Sequence, residues 1–209
     1  MGVAKALLML DDKTLLERHV ERLVHQGCSP VVVVLRPEVA ASLESKLDRW
    51  QPNIRVVAAR TGSPSESLLA GARALPGFLE PGEDCASLSG GPRCVDRVLI
   101  VPVDMMPPAT PLLRALHAAL VPPLLAVTPT YRGRGGHPVL CRREVIVRLA
   151  HAVRAGSDDA PDSTPSLRDV LRELGPRRAR LELDDRSVLD DFDRPSDLPA
   201  SVEVVDRVG

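Results

Sequence analysis

Two rhythms of apolar residues alternate along this chain. Thr14 and Glu17 stand at capping-box spacing, and Leu15, Leu16, Val20, Leu23 and Val24 then recur with helical period until Gly27. Val31–Leu35 is an unbroken apolar run, as expected of a strand buried on both faces. Pro37 opens a second helix expected to reach about Trp50, and Ile54–Ala58 reads as the next strand. A turn of small residues, Gly62–Ser67, leads into a helix from about Ser65 to Leu75. Residues 76–94 are rich in Pro, Gly and Ser without periodicity and read as a long surface loop.

The pattern then repeats. Val98–Val103 is a short β-branched run that ends on Asp104, and Pro107 and Pro108 follow. A helix is expected over Ala109–Leu120, a strand over Leu124–Thr128, and a glycine-rich loop over residues 130–137 before Pro138–Cys141. An amphipathic helix over 143–153, an acidic loop over 156–165, a short helix over Ser166–Leu174, a strand near Ala179–Leu183 and an acidic turn over 184–195 complete the chain. Alternation of β and α predicts an α/β fold in three layers, a mainly parallel sheet with helices on both faces. At 209 residues one domain, 1–209, is expected.

Composition narrows the function. Net charge is −1, with 27 basic against 28 acidic residues, which leaves no basic excess for a nucleic-acid binder. Aromatics are 2%, too few for base-stacking platforms or an aromatic sugar cleft. No run has the length of a membrane span, and no signal-peptide pattern opens the chain. Cys28, Cys85, Cys94 and Cys141 are scattered with no CxxC pair, so reduced thiols and a cytoplasmic location are expected, with neither a disulfide frame nor a zinc site.

Asp104 is the residue with the clearest chemical promise. Ligands of open α/β sheets sit outside the carboxyl ends of the strands, where a carboxylate can hold Mg2+ beside a phosphate. An Asp that caps the following helix is the other reading of the same position. The acidic turn carrying Asp191 and Asp193 offers a second carboxylate for one Mg2+, or is a solvated loop.

Several segments together resemble the MobA-like nucleotidyltransferases, nearest the CTP:molybdopterin cytidylyltransferase branch. They are Met1-Gly2-x-x-Lys5-x-Leu7-Leu8 followed by Lys13–Glu17, then Pro102-Val103-Asp104, then Pro129-Thr130-Tyr131 through Gly136-His137-Pro138-Val139-Leu140, and Asp191-Phe192-Asp193-Arg194-Pro195-Ser196-Asp197. The resemblance extends over nearly the whole chain. The strand and glycine-rich loop that precede Met-Gly in that family have no counterpart, so a GT-A-like Rossmann-type domain lacking its first strand, an N-terminally truncated nucleotidyltransferase-like domain, is expected.

The resemblance implies a Mg2+-dependent transfer of a nucleoside monophosphate from an NTP, CTP or GTP with CTP favoured, to a phosphorylated acceptor such as molybdopterin, with release of pyrophosphate. It implies Lys5 and Asp104 as catalytic, and Gly2, Lys5, Ser65 and Ser67 as nucleotide-binding. Gly136, His137 and Pro138 would face the acceptor, and Asp104, Asp193 and Asp191 the metal, with Asp193 preferred over Asp191. Ser65 as a plain helix cap, Lys5 as a surface lysine and His137 as a structural residue of a tight turn stand beside those roles. Two other functions stand beside the first: a sugar-phosphate nucleotidyltransferase, and a non-catalytic binding protein that keeps the fold. A monomer or weak homo-oligomer is expected, with neither nucleic acid nor membrane as partner.

Overall fold

The computed structural model describes residues 4–43, 50, 54–79, 95–156, 165–192, 197 and 202–203. Near the N-terminus a short 3-10 turn, Lys5–Leu7, precedes a small hairpin of β1 (Met9–Leu10) and β2 (Lys13–Thr14). The hairpin runs directly into helix α1 (Leu15–His25). Thr14 caps it as the spacing predicts: its hydroxyl accepts from the Glu17 N–H, and the Glu17 carboxylate accepts from the Thr14 N–H at 2.8 Å. β3 (Val31–Leu35), α2 (Pro37–Ser42), β4 (Ile54–Ala58) and α3 (Pro64–Arg73) follow, with β3 and β4 parallel.

The second half contains β5 (Arg97–Ile100), α4 (Thr110–Ala119), β6 (Ala126–Tyr131), β7 (Arg134–Gly135), β8 (Val139–Arg142), α5 (Arg143–Gly156), α6 (Leu167–Glu173), β9 (Arg178–Glu182) and β10 (Val202–Glu203). β8 enters antiparallel between β5 and β6, β9 pairs parallel with β6, and β7 folds back on β6 as a hairpin. β10 closes against β1, a pairing that no pattern in the tail foretells.

Side-chain parity sets the layers, because successive residues of a strand point to opposite faces. On β3, Val31, Val33 and Leu35 join Leu16 and Val20 of α1, whereas Val32 and Val34 lie against Gly71 of α3. A Cβ at Gly71 would sit 3.1 Å from Val34 Cγ2, so the missing side chain is what lets helix and strand approach. Across the second sheet, Val98, Cys141 and Ala126 are in register and pack with α3, α5 and α6. The next row, Leu99, Leu140 and Val127, faces Leu112 and Leu116 of α4 and the nearby Leu120. These are the three layers expected from the β/α alternation.

The two sheets have no hydrogen-bonded ladder between them: among the described residues β3 bonds only to β4 at one edge, and β5 only to β8. They are nevertheless neighbours. On one face α3 places Gly71 on β3 while Leu69 and Ala72 share a cluster with Val98 and Ile100 of β5. On the other, α1 packs on β3 and bonds to the segment that follows β5. Val103, just after β5, also packs with the β3 cluster.

Some boundaries differ from the sequence pattern. β5 ends at Ile100 rather than Val103, since Pro102 has no N–H to extend the ladder. α2 ends at Ser42, and residues 44–49 lie outside the described part. β6 is displaced toward the C-terminus and includes Thr130 and Tyr131, which pair with the β7 hairpin. The cap of α3 is Ser63, whose hydroxyl accepts from the Glu66 N–H, so Ser65 is a buried residue of the first turn and not a cap.

Candidate active site

Lys5 and Asp104 meet although 99 residues separate them: Lys5 Nζ lies 3.1 Å from Asp104 Oδ2. The two side chains keep 26% and 35% of their surface exposed, and an ion pair that open contributes about 0–1 kcal/mol. Stability alone gives little reason for it. The 3-10 turn at Lys5–Leu7 presents the lysine while Ala6 is buried in the α1–β3 cluster.

Asp104 lies four residues past the end of β5, in a stretch without ladder bonds. Two contacts on consecutive carbonyls hold it. The Phe192 N–H donates to the Asp104 carbonyl at 2.7 Å, and His19 Nε2 lies 2.9 Å from the Met105 carbonyl. Because a carbonyl only accepts, Nε2 carries the hydrogen. Phe192 is itself anchored, 1% exposed and packed with Leu8, Leu10 and Leu15. Its neighbour Asp191 is exposed. The acidic turn is thereby tied by its backbone to the Asp104 strand end. Asp193, the preferred second carboxylate, and Gly2 lie outside the described residues.

Hard oxygen donors from Asp104 and a tethered aspartate turn suit a hard dication such as Mg2+ or Mn2+. Among the described residues no three His, Cys, Asp or Glu side chains come together as a metal cluster. Cys141 is fully buried and its thiol is pushed up to about 12, while burial also raises the Cys28 thiol. Neither is a nucleophile at neutral pH. Both are free thiols in the structure; Cys85 and Cys94 lie outside the described residues.

The Gly136-His137-Pro138 segment is built on a close backbone approach. A Cβ on Gly136 would fall 1.9 Å from the Val188 carbonyl oxygen, and the His137 N–H donates to that same oxygen at 2.8 Å. Gly136 is thus required by packing, and Pro138 is buried. The His137 ring keeps solvent access. Surrounding protein lowers its pKa by desolvation, the Asp104 charge raises it, and the Arg168 guanidinium lowers it. His137 therefore stands within electrostatic reach of Asp104.

The turn expected to meet the base satisfies its own polar groups. Thr61 Oγ1 and Ser67 Oγ share a 2.6 Å hydrogen bond, and the Gly62 N–H donates to Glu66 at 2.7 Å. Ser65 is buried and Ser67 partly so. His19 is the residue that sequence reasoning passed over. It falls on the apolar stripe of α1, four residues after Leu15 and beside Val20, and a polar residue on such a stripe is the signal that was there to read.

No curated protein sequence matches the chain. Solved structures do. 4-Diphosphocytidyl-2C-methyl-D-erythritol synthase from Anaerococcus prevotii superposes with a TM-score of 0.68 at 13% identity, over 92% of this chain and 89% of that one. A nucleotidyl transferase from Methanothermobacter superposes with a TM-score of 0.62 at 23% identity, over 93% and 82%. The manganese complex of Rv0371C from Mycobacterium tuberculosis superposes with a TM-score of 0.59 at 19% identity, over 94% and 90%. Identities this low establish the fold, a Rossmann-like nucleotidyltransferase architecture. At the sequence level the MobA-like NTP transferase domain matches residues 1–178, and the chain belongs to that family of nucleotidyltransferases.

Proposed function

We propose that this nucleotidyltransferase moves a nucleoside monophosphate, preferentially from CTP, to a phosphorylated acceptor such as molybdopterin. An acceptor phosphate oxygen attacks the α-phosphorus, and the bond to the β-phosphate oxygen breaks to release pyrophosphate. The observation that carries the reading is the meeting of Lys5 with Asp104 at the strand end to which the acidic turn is tied. Nothing in packing demands that pair, and phosphoryl chemistry uses both of its charges.

Lys5 would hold the triphosphate as a mobile point charge. Asp104, with Asp191 or Asp193, would hold Mg2+ or Mn2+. When bound, such an ion neutralises phosphate oxygens and orients them for in-line attack. A manganese complex of a neighbouring fold supports a divalent metal without choosing between the two ions. Ser65 and Ser67 border the candidate base-binding turn, and His137 borders the acceptor side. Among the described residues no helix is long and apolar enough to cross a membrane, and we place the reaction in the cytoplasm.

The test is pyrophosphate release from CTP and from GTP with Mg2+ or Mn2+, in the presence and absence of molybdopterin. Release that needs both CTP and the acceptor supports the reading in full. Release with GTP alone reassigns the base, and no release with any pairing of nucleotide and metal overturns it.

A further inference from the structure

The geometry points to His19 as a positioning residue: a buried imidazole on α1 that sets where the Asp104 carboxylate stands. The inference rests on the reading of Asp104 as a metal ligand. Between Ile100, where β5 ends, and Thr110, where α4 begins, the backbone has no regular structure, and Pro107 and Pro108 contribute no N–H. A carboxylate in such a stretch is only as well placed as the tethers around it.

One face of α1 supplies tethers. His19 bonds the Met105 carbonyl at 2.9 Å. Arg22 and Gln26 donate to Thr110 Oγ1 at 3.0 and 3.2 Å. His19 and Arg22 share a face of α1 and Gln26 caps its C-terminus, so one element grips the middle and the C-terminal end of the segment that carries Asp104. The helix is itself well seated, with a two-way cap at Thr14–Glu17 and Leu15, Leu16 and Val20 buried.

His19 is costly where it stands. It is 4% exposed on a stripe otherwise filled by leucine and valine. With Nε2 donating to Met105, Nδ1 is left as a bare acceptor, and it is the one buried side-chain polar atom among the described residues with no hydrogen-bond partner. A leucine would pack without that penalty. What the histidine adds is a donor to the carbonyl next to Asp104, the complement of the Phe192 N–H on the Asp104 carbonyl itself. Hydrogen bonds that brace the backbone behind a ligand govern how well it is presented to its metal.

The experiment compares Mn2+ binding, read from the free-Mn2+ paramagnetic signal, with thermal melting in the absence of metal, both at pH 8. His19→Phe fills the space without a donor, and His19→Gln restores an amide donor at similar reach. His19→Phe is expected to weaken Mn2+ binding about 10-fold, and His19→Gln to recover most of that loss. Mn2+ affinity unchanged in a folded His19→Phe protein overturns the inference, as does a loss in His19→Gln equal to that in His19→Phe. Should His19→Phe not fold, the double variant Arg22→Met, Gln26→Met carries the same test: it removes both donors to Thr110 and is expected to weaken Mn2+ binding, and unchanged binding overturns the clamp. Asp104→Asn separates the two levels. If it binds Mn2+ as the wild type does, the ligand reading fails and takes this one with it. If it loses Mn2+ while His19→Phe keeps it, only the role of His19 fails.

Discussion

The Phe192 N–H donates to the Asp104 carbonyl oxygen at 2.7 Å, and this backbone bond joins the acidic turn to the segment that follows β5. Phe192 fills a pocket of Leu8, Leu10 and Leu15, so the tether is backed by core packing. Phe192→Ala is expected to cost about 3–5 kcal/mol, typical for a fully buried phenylalanine. It should also free the acidic turn. Chemical denaturation measures the first effect and Mn2+ titration the second. A variant that is destabilised but binds metal with wild-type affinity would show the tether to be structural only.

Asp104→Ala is expected to abolish pyrophosphate release while leaving the melting temperature within a few degrees of wild type. The side chain is partly exposed and so is Lys5, with which it forms an ion pair, so little packing is lost. Near wild-type turnover in the folded variant would remove Asp104 from the metal site. Asp191→Asn and Asp193→Asn keep shape and remove charge. The one that raises the Mg2+ concentration for half-maximal activity identifies the second ligand, and Asp193 is the expected one.

How much of this was legible beforehand follows from what kind of force fixes each part. The α1 cap, β3 and β4 are local matters of capping chemistry and apolar runs, and they stand where the pattern puts them, while the strand leading to Asp104 is present but stops at Ile100. The site needs contacts across 86 to 99 residues, Met105 to His19 and Asp104 to Lys5, which no spacing encodes. Gly136 reads from the sequence as part of a substrate loop, and its close fit against Val188 is a contact that no spacing encodes. The Ser63 cap is legible in the sequence, because Pro64 at the first helical position points to the residue before it rather than to the serine one residue on.

Gly136→Ala should destabilise the protein by several kcal/mol, since a Cβ there meets Val188 backbone rather than a side chain that can swing away. A thermal melt is sufficient to check it. A change of only a few tenths of a kcal/mol would mean that the turn at Arg186–Leu189 moves freely, and that Gly136 is needed for something other than packing.

Stability should fall on mild acidification. Burial lowers the His19 pKa below its ordinary 6.5, and desolvation lowers His117 and His137 in the same direction. Above pH 6.5 these groups are neutral in both folded and unfolded chains, and their contribution is fully present. As pH drops below 6.5 the unfolded chain takes up protons first, so stability declines until the folded-state pKa is reached. The slope is at most about 1.4 kcal/mol per pH unit for each proton. The lowered carboxylates Asp169, Glu182 and Glu38 act at lower pH and leave this window to the histidines. Urea unfolding from pH 7.5 to 5 should show the decline, and His19→Phe should make it shallower. An identical slope in that variant would mean that His19 does not resist protonation in the folded protein.

β3 and β5 lie next to each other, roofed by α1 on one face and α3 on the other, yet among the described residues no ladder joins them. Val32, Val34, Val98, Leu99 and Ile100 remain only partly buried at this junction. Unpaired backbone edges beside half-covered apolar side chains are what an inserted strand would satisfy. We expect that extending the chain by the codons in frame ahead of Met1, where they encode an apolar strand followed by a glycine-rich loop, raises both stability and nucleotide affinity. One segment would do both, because the strand pairs β3 and β5 while the loop that follows presents backbone N–H groups to the triphosphate beside Lys5. Calorimetric titration of CTP and GTP against the 209-residue chain and the extended one, with melting curves, is the measurement. Tight Mg2+-dependent binding by the short chain would show the loop to be dispensable. An extension that changes neither affinity nor melting would leave a binding protein that keeps the fold as the better account of this chain.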